Sequence, residues 1–83
     1  MKEVINKHRL ADWSQAPDWA NYHAVDQDEV GYWYGNRPRL SLLTDSWLQF
    51  NNIGNNQKNK PFDLKGINWI ETLETRPEQN QNN

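Results

Sequence analysis

The chain predicts a small α+β fold, a three-stranded antiparallel meander with one or two short helices. Two ring-rich segments flanking a short acidic stretch give the hairpin, an apolar run after a Gly/Pro turn gives the third strand, and an Asn-capped segment near the end gives a helix. At 83 residues this is one small domain. Its expected extent is residues 1–77, with a flexible loop at 51–60 and a disordered tail at 78–83.

The hairpin comes from Trp19–Asp26 and Val30–Gly35, both rich in β-favouring rings. A four-residue loop, Asp26–Glu29, would pair Val25 with Val30, Ala24 with Gly31, Tyr22 with Trp33 and Ala20 with Gly35. One face would then alternate small and aromatic residues, leaving room for Tyr22 and Trp33 to lie over the sheet. The other face would carry His23 opposite Tyr32 and Asn21 opposite Tyr34. Gly35-Asn36-Arg37-Pro38 is the next turn, and Leu40–Gln49 is read as the third strand, bent or bulged at Asp45-Ser46. A helix from Ser41 competes with that strand, because short apolar runs suit either state. Lys2–Leu10 is a weakly amphipathic helical turn or two. Asn68-x-x-Glu71 has the form of an N-cap with its return carboxylate, so a helix is expected over Trp69–Thr75 before Pro77. An edge strand at Ile67–Ile70 is the alternative.

Composition narrows the function. Five Trp, three Tyr and two Phe must supply much of a small core, since chains this short rarely gain more than ~3–5 kcal/mol from hydrophobic burial. Pairing with a second copy is another route to stability, so a homodimer stays open. The mean hydropathy of -1.14 and the lack of a long apolar run leave no membrane span. Met1–Ala11 lacks the apolar stretch of a signal peptide, which implies a cytoplasmic protein. The absence of Cys excludes disulfides, thiolate zinc sites and thiol catalysis.

No constellation for chemistry is visible. His8 and His23 lie in separate elements, too few for a zinc site. Asp26-x-Asp28 opens like a calcium loop, but Val30 and Arg37 stand where oxygen ligands are required. Ser14, Ser41 and Ser46 lack nucleophile-elbow surroundings, and no phosphate-binding glycine motif occurs. The expectation is a protein without enzymatic activity and without a cofactor. The net charge of -2 disfavours nucleic acid, although Arg37, Arg39, Lys58, Lys60 and Lys65 make the middle of the chain locally basic. Interface energetics favour Tyr, Trp and Arg, so the expected partner-binding set is His23, Tyr32, Tyr34, Arg37 and Arg39, on a sheet face left uncovered.

Two strings carry a resemblance. Asp12-Trp13-Ser14-Gln15-Ala16-Pro17-Asp18-Trp19-Ala20, with Asp26-Gln27-Asp28, Gly31-Tyr32-Trp33-Tyr34 and Arg37-Pro38, resembles small uncharacterised accessory proteins of tailed bacteriophages and prophages. The closing Trp69-Ile70-Glu71-Thr72-Leu73-Glu74-Thr75-Arg76-Pro77 is similar to a string in the same group. The likeness covers roughly residues 12–47 and 66–77 and attaches to no catalytic residues. Where those proteins tend to have an Asp-Gly turn, this chain has Asp28-Glu29-Val30-Gly31, which implies a longer or bulged hairpin. The resemblance implies a protein of the bacterial host cytoplasm that binds a host protein. By analogy with inhibitors of CRISPR and other antiviral complexes, it would act as an anti-defence inhibitor. The alternatives are a single-strand nucleic-acid-binding accessory protein and a minor virion or assembly component.

Overall fold

The computed structural model describes residues 9–49 and 55–78. Among the described residues six strands occur in chain order: β1 (Tyr22–Val25), β2 (Val30–Tyr34), β3 (Arg39–Ser41), β4 (Ser46–Leu48), β5 (Asn56–Pro61) and β6 (Glu74–Thr75). They form a four-stranded antiparallel sheet in the order β5-β2-β1-β6 and a separate two-stranded sheet, β3-β4. Among the described residues the only helical turns are 3-10, at Trp13–Gln15 and Trp69–Glu71. The α+β meander is therefore corrected to a mostly β fold. Leu40–Gln49 is not a third strand of the main sheet but a hairpin of its own.

The β1–β2 hairpin forms where expected, one residue out of the expected register. Tyr22 pairs with Tyr34, His23 with Trp33, Ala24 with Tyr32 and Val25 with Gly31. The cause is at the turn. Asp26 N–H donates to the Val30 carbonyl (3.0 Å) and Glu29 N–H to the Asp26 carbonyl (2.8 Å), leaving three loop residues instead of four. Glu29 takes the left-handed position with φ 71, the place a three-residue hairpin loop needs it. A one-residue slip exchanges the faces of a strand. Trp33 consequently joins His23 on one face, while Tyr32 and Tyr34 join Tyr22 and Ala24 on the other.

Both faces are covered. On the tyrosine side, Ala24, Tyr34 and Trp47 make a buried cluster flanked by Tyr22, Tyr32, Trp69 and Leu73. On the other side, four rings follow one another edge to face: Trp13 to Trp33 (4.9 Å between centroids), Trp33 to His23 (4.6 Å) and His23 to Phe62 (5.2 Å). Arg76 lies over Trp13 at one end of this row and Lys60 over Phe62 at the other. Gly31 makes the row possible, since a Cβ there would meet the Phe62 ring and come within 2.8 Å of the His23 ring.

The two strings that carry the resemblance meet in space. Buried Glu74 accepts from Leu10 N–H (2.8 Å), Ala11 N–H (2.9 Å) and Trp13 Nε1 (3.0 Å). Arg76 Nη1 donates to the carbonyls of Ala20 (2.6 Å) and Pro17 (3.2 Å). The closing string thus clamps the opening one, and in this fold both are scaffold.

Asn68 does cap a turn, accepting from Ile70 N–H at 3.2 Å, but the expected Trp69–Thr75 helix stops after Glu71. The Thr72 hydroxyl lies 2.7 Å from the Trp69 carbonyl and accepts from Val25 N–H at 2.9 Å, drawing the chain into pairing with β1. The expected loop at 51–60 is corrected as well, because Asn56–Pro61 is an edge strand paired with β2. Its Lys58, Lys60 and Pro61 are residues that keep an open edge from recruiting other chains. Residues 51–54, the helical turns expected in Lys2–Leu10 as far as residue 8, and the tail at 79–83 lie outside the described residues.

Candidate protein-binding surface

The β3–β4 hairpin follows directly on Pro38, itself buried, after a bend at Gly35 and Asn36. Arg39 pairs with Leu48, Leu40 with Trp47 and Ser41 with Ser46, leaving Leu42-Leu43-Thr44-Asp45 as the loop. Hydroxyls close the loop: Thr44 Oγ1 lies 2.9 Å from Ser41 Oγ and 2.8 Å from Ser46 Oγ, and Ser41 Oγ accepts from Thr44 N–H at 3.3 Å. Asp45 occupies the left-handed region with φ 53.

The base of the hairpin is fixed to the main sheet through Trp47, whose ring is buried against Trp69. Its N–H donates to Asp26 Oδ1 (2.8 Å) and its carbonyl accepts from the Tyr34 hydroxyl (3.2 Å). Burial raises the Asp26 carboxyl above the usual range, partly offset by the Trp47 N–H, while neighbouring Asp28 adds to the rise. The Tyr34 phenol is also raised, first by burial, so it stays a neutral donor. Gln27 N–H donates to the Asp45 carbonyl at 3.3 Å, joining the two turns.

What this anchored base holds outward is apolar. Leu43 is 97% exposed and Leu42 68%, with Leu40 and Leu48 both more than two-fifths exposed. A groove of about 420 Å³ is lined by Arg39, Leu40, Ser41, Leu42, Leu43, Leu48 and Gln49. These exposed leucines are grouped on one small element rather than scattered over the surface. A second hollow of about 310 Å³ lies between the polar residues Asp12, Gln15, Asn59 and Lys60.

The residues expected to bind a partner divide. His23 and Tyr34 are buried on opposite faces of the sheet, and Tyr32 is half-buried with its ring 6.4 Å from that of Tyr34. Arg37 and Arg39 are exposed, and Arg39 lines the leucine groove. His23 sits among rings, with Nε2 3.1 Å from Asn59 Nδ2 and Nδ1 without a partner, and burial pushes its imidazole down to about 4. That environment suits a neutral structural histidine.

Leu40, Leu42, Leu43 and Leu48 are the surface residues that sequence reasoning placed in the meander. A usable signal was present: adjacent Leu42 and Leu43 cannot both face one side of a strand, and Thr44-Asp45-Ser46 are turn formers. Among the described residues no group of three or more His, Asp or Glu could hold a metal ion, and no helix is long and apolar enough to cross a membrane. Comparison of the chain with protein-family models, with curated proteins and with solved structures finds no match.

Proposed function

We propose that this chain is a non-enzymatic phage or prophage accessory protein that binds a bacterial host protein and blocks its action sterically, in the manner of an inhibitor of an antiviral complex. The observation that carries the reading is the leucine-tipped β3–β4 hairpin, with Leu42 and Leu43 turned to solvent on a base fixed by Asp26, Tyr34 and Trp47. A tip built this way costs little conformational entropy on contact, because its anchor is already ordered. Arg37 and Arg39 stand at its root and remain in the proposed surface, while His23 and Tyr34 leave it.

Expression of the chain in bacteria that carry a defence system tests this directly. Phage plating should rise with the native chain and return to the low level of defence-bearing cells without the chain with Leu42→Asp/Leu43→Asp, whose near-ultraviolet circular dichroism should match the native protein. Equal plating with both chains would remove the hairpin from the reading.

A second reading is single-strand nucleic-acid binding, favoured by the β5 edge, where Lys58 pairs with Tyr32 and Lys60 covers Phe62. A mobility shift that weakens steeply with salt and is lost in Lys58→Ala/Lys60→Ala would favour it.

A further inference from the structure

We propose that the β3 edge receives an extended strand from the partner protein, one with alternating apolar residues and carboxylates. The inference rests on the hairpin being the contact surface and adds how contact is made.

Backbone bonding carries the argument. In an antiparallel pair, the residues facing one another alternate between exchanging both hydrogen bonds and pointing them away. Trp47 directs its N–H to Asp26 and its carbonyl to the Tyr34 hydroxyl, so Leu40 and Trp47 form an outward-pointing pair. On the β4 side those outward groups are satisfied within the chain. On the β3 side, the Leu40 N–H and carbonyl point away from β4, and among the described residues no strand pairs there. Of the other edges, β5 is defended by Lys58, Lys60 and Pro61, and β6 offers two residues against the three of β3. The open edge is thus the one bordered by exposed leucines. Two-stranded sheets are marginal alone, so an added strand also completes the smaller sheet.

Charge selects the occupant. The chain is acidic overall, with net charge -2, yet Arg39 lies in β3 and lines the groove, and Arg37, also exposed, lies two residues before it. A second copy paired edge to edge would gather four arginines along one seam. A partner strand carrying Asp or Glu meets them with opposite charge, and its apolar side chains enter the groove lined by Leu40, Leu42, Leu43 and Leu48.

The test is selection from a random dodecamer peptide-display library on the native protein, with counter-selection on Leu42→Asp/Leu43→Asp. Enriched peptides should alternate apolar residues and carry carboxylates. A synthetic copy of one should slow exchange of the Leu40 amide by about tenfold or more. Its affinity should fall with salt and in Arg37→Ala/Arg39→Ala. Peptides of helical spacing that leave the Leu40 amide unprotected would overturn strand addition while leaving the hairpin as a contact surface. Absence of enrichment over the counter-selected variant would also overturn it, with phage plating still deciding the hairpin separately. Sedimentation showing a native dimer that Leu42→Asp/Leu43→Asp dissociates would give the edge to a second copy and reject the partner strand.

Discussion

The four-stranded sheet and the β3–β4 hairpin dispose of large side chains in opposite ways. The sheet encloses its rings: Trp33, Tyr34 and His23 are buried, with Trp13 and Phe62 on one side and Trp47 and Trp69 on the other. The hairpin buries Trp47 and leaves its leucines outside. Aromatic residues, the usual candidates for recognition, are here largely construction material, because a short chain without disulfides needs their area for its core. Four leucines of the hairpin, a residue type usual in cores, stand exposed, while Leu64 is buried and Leu73 packs against the core. The comparison teaches that residue type is a poor guide to role when the core is small.

The largest expected effect lies in the sheet's clamp. Glu74→Ala should cost about 3 kcal/mol or more, because it strands the Leu10, Ala11 and Trp13 donors, and on a domain of this size that approaches global unfolding. Urea titration measures it, and a loss below about 1 kcal/mol would show that the clamp is dispensable.

A pH series probes the buried row of rings. His23 has an ordinary value of 6.5 and is held at about 4 when folded, so between those values the unfolded chain binds more protons. Stability from this group is full above pH 6.5 and falls as pH drops toward about 4. The loss is about 3 kcal/mol. Asp26, raised in the fold, acts in the opposite sense at the acid end. Urea midpoints from pH 7 downward should show the decline, and His23→Leu should flatten it.

Gly31→Ala comes next. The added methyl must displace Phe62 and His23, at about 2 kcal/mol, read from thermal melting. Glu29→Gly should stabilise by up to about 1 kcal/mol, since glycine takes the left-handed turn position without strain. Leu43→Asp should change stability by no more than about 0.5 kcal/mol, because the side chain is 97% exposed. A larger loss would mean that the hairpin tip contributes to the fold, and the contrast between the two regions would narrow.

Local chemistry announced several elements. Ring-rich segments around Asp26–Glu29 specify a hairpin, and Asn68 specifies a capped turn. Register escaped because Glu29 takes a conformation normally given to glycine, and that one residue moves Trp33 to the other face. β5 escaped because Asn, Gln and Lys have little strand preference. Its pairing is supplied by the backbone of β2. Of the candidate surface, Arg37 and Arg39 were legible as exposed cations, while the leucines looked like core.

The sequence by itself determined an aromatic-rich chain without thiols, with a hairpin turn and a capped turn at fixed places and charge divided along its length. Tertiary structure decided which rings share a face, that Glu74 and Arg76 clamp the segment from Leu10 to Ala20, and that four leucines stand outside. The physical reason is that turns and caps depend on neighbours a few residues away, whereas burial depends on which distant strands pair at each edge and pack on each face.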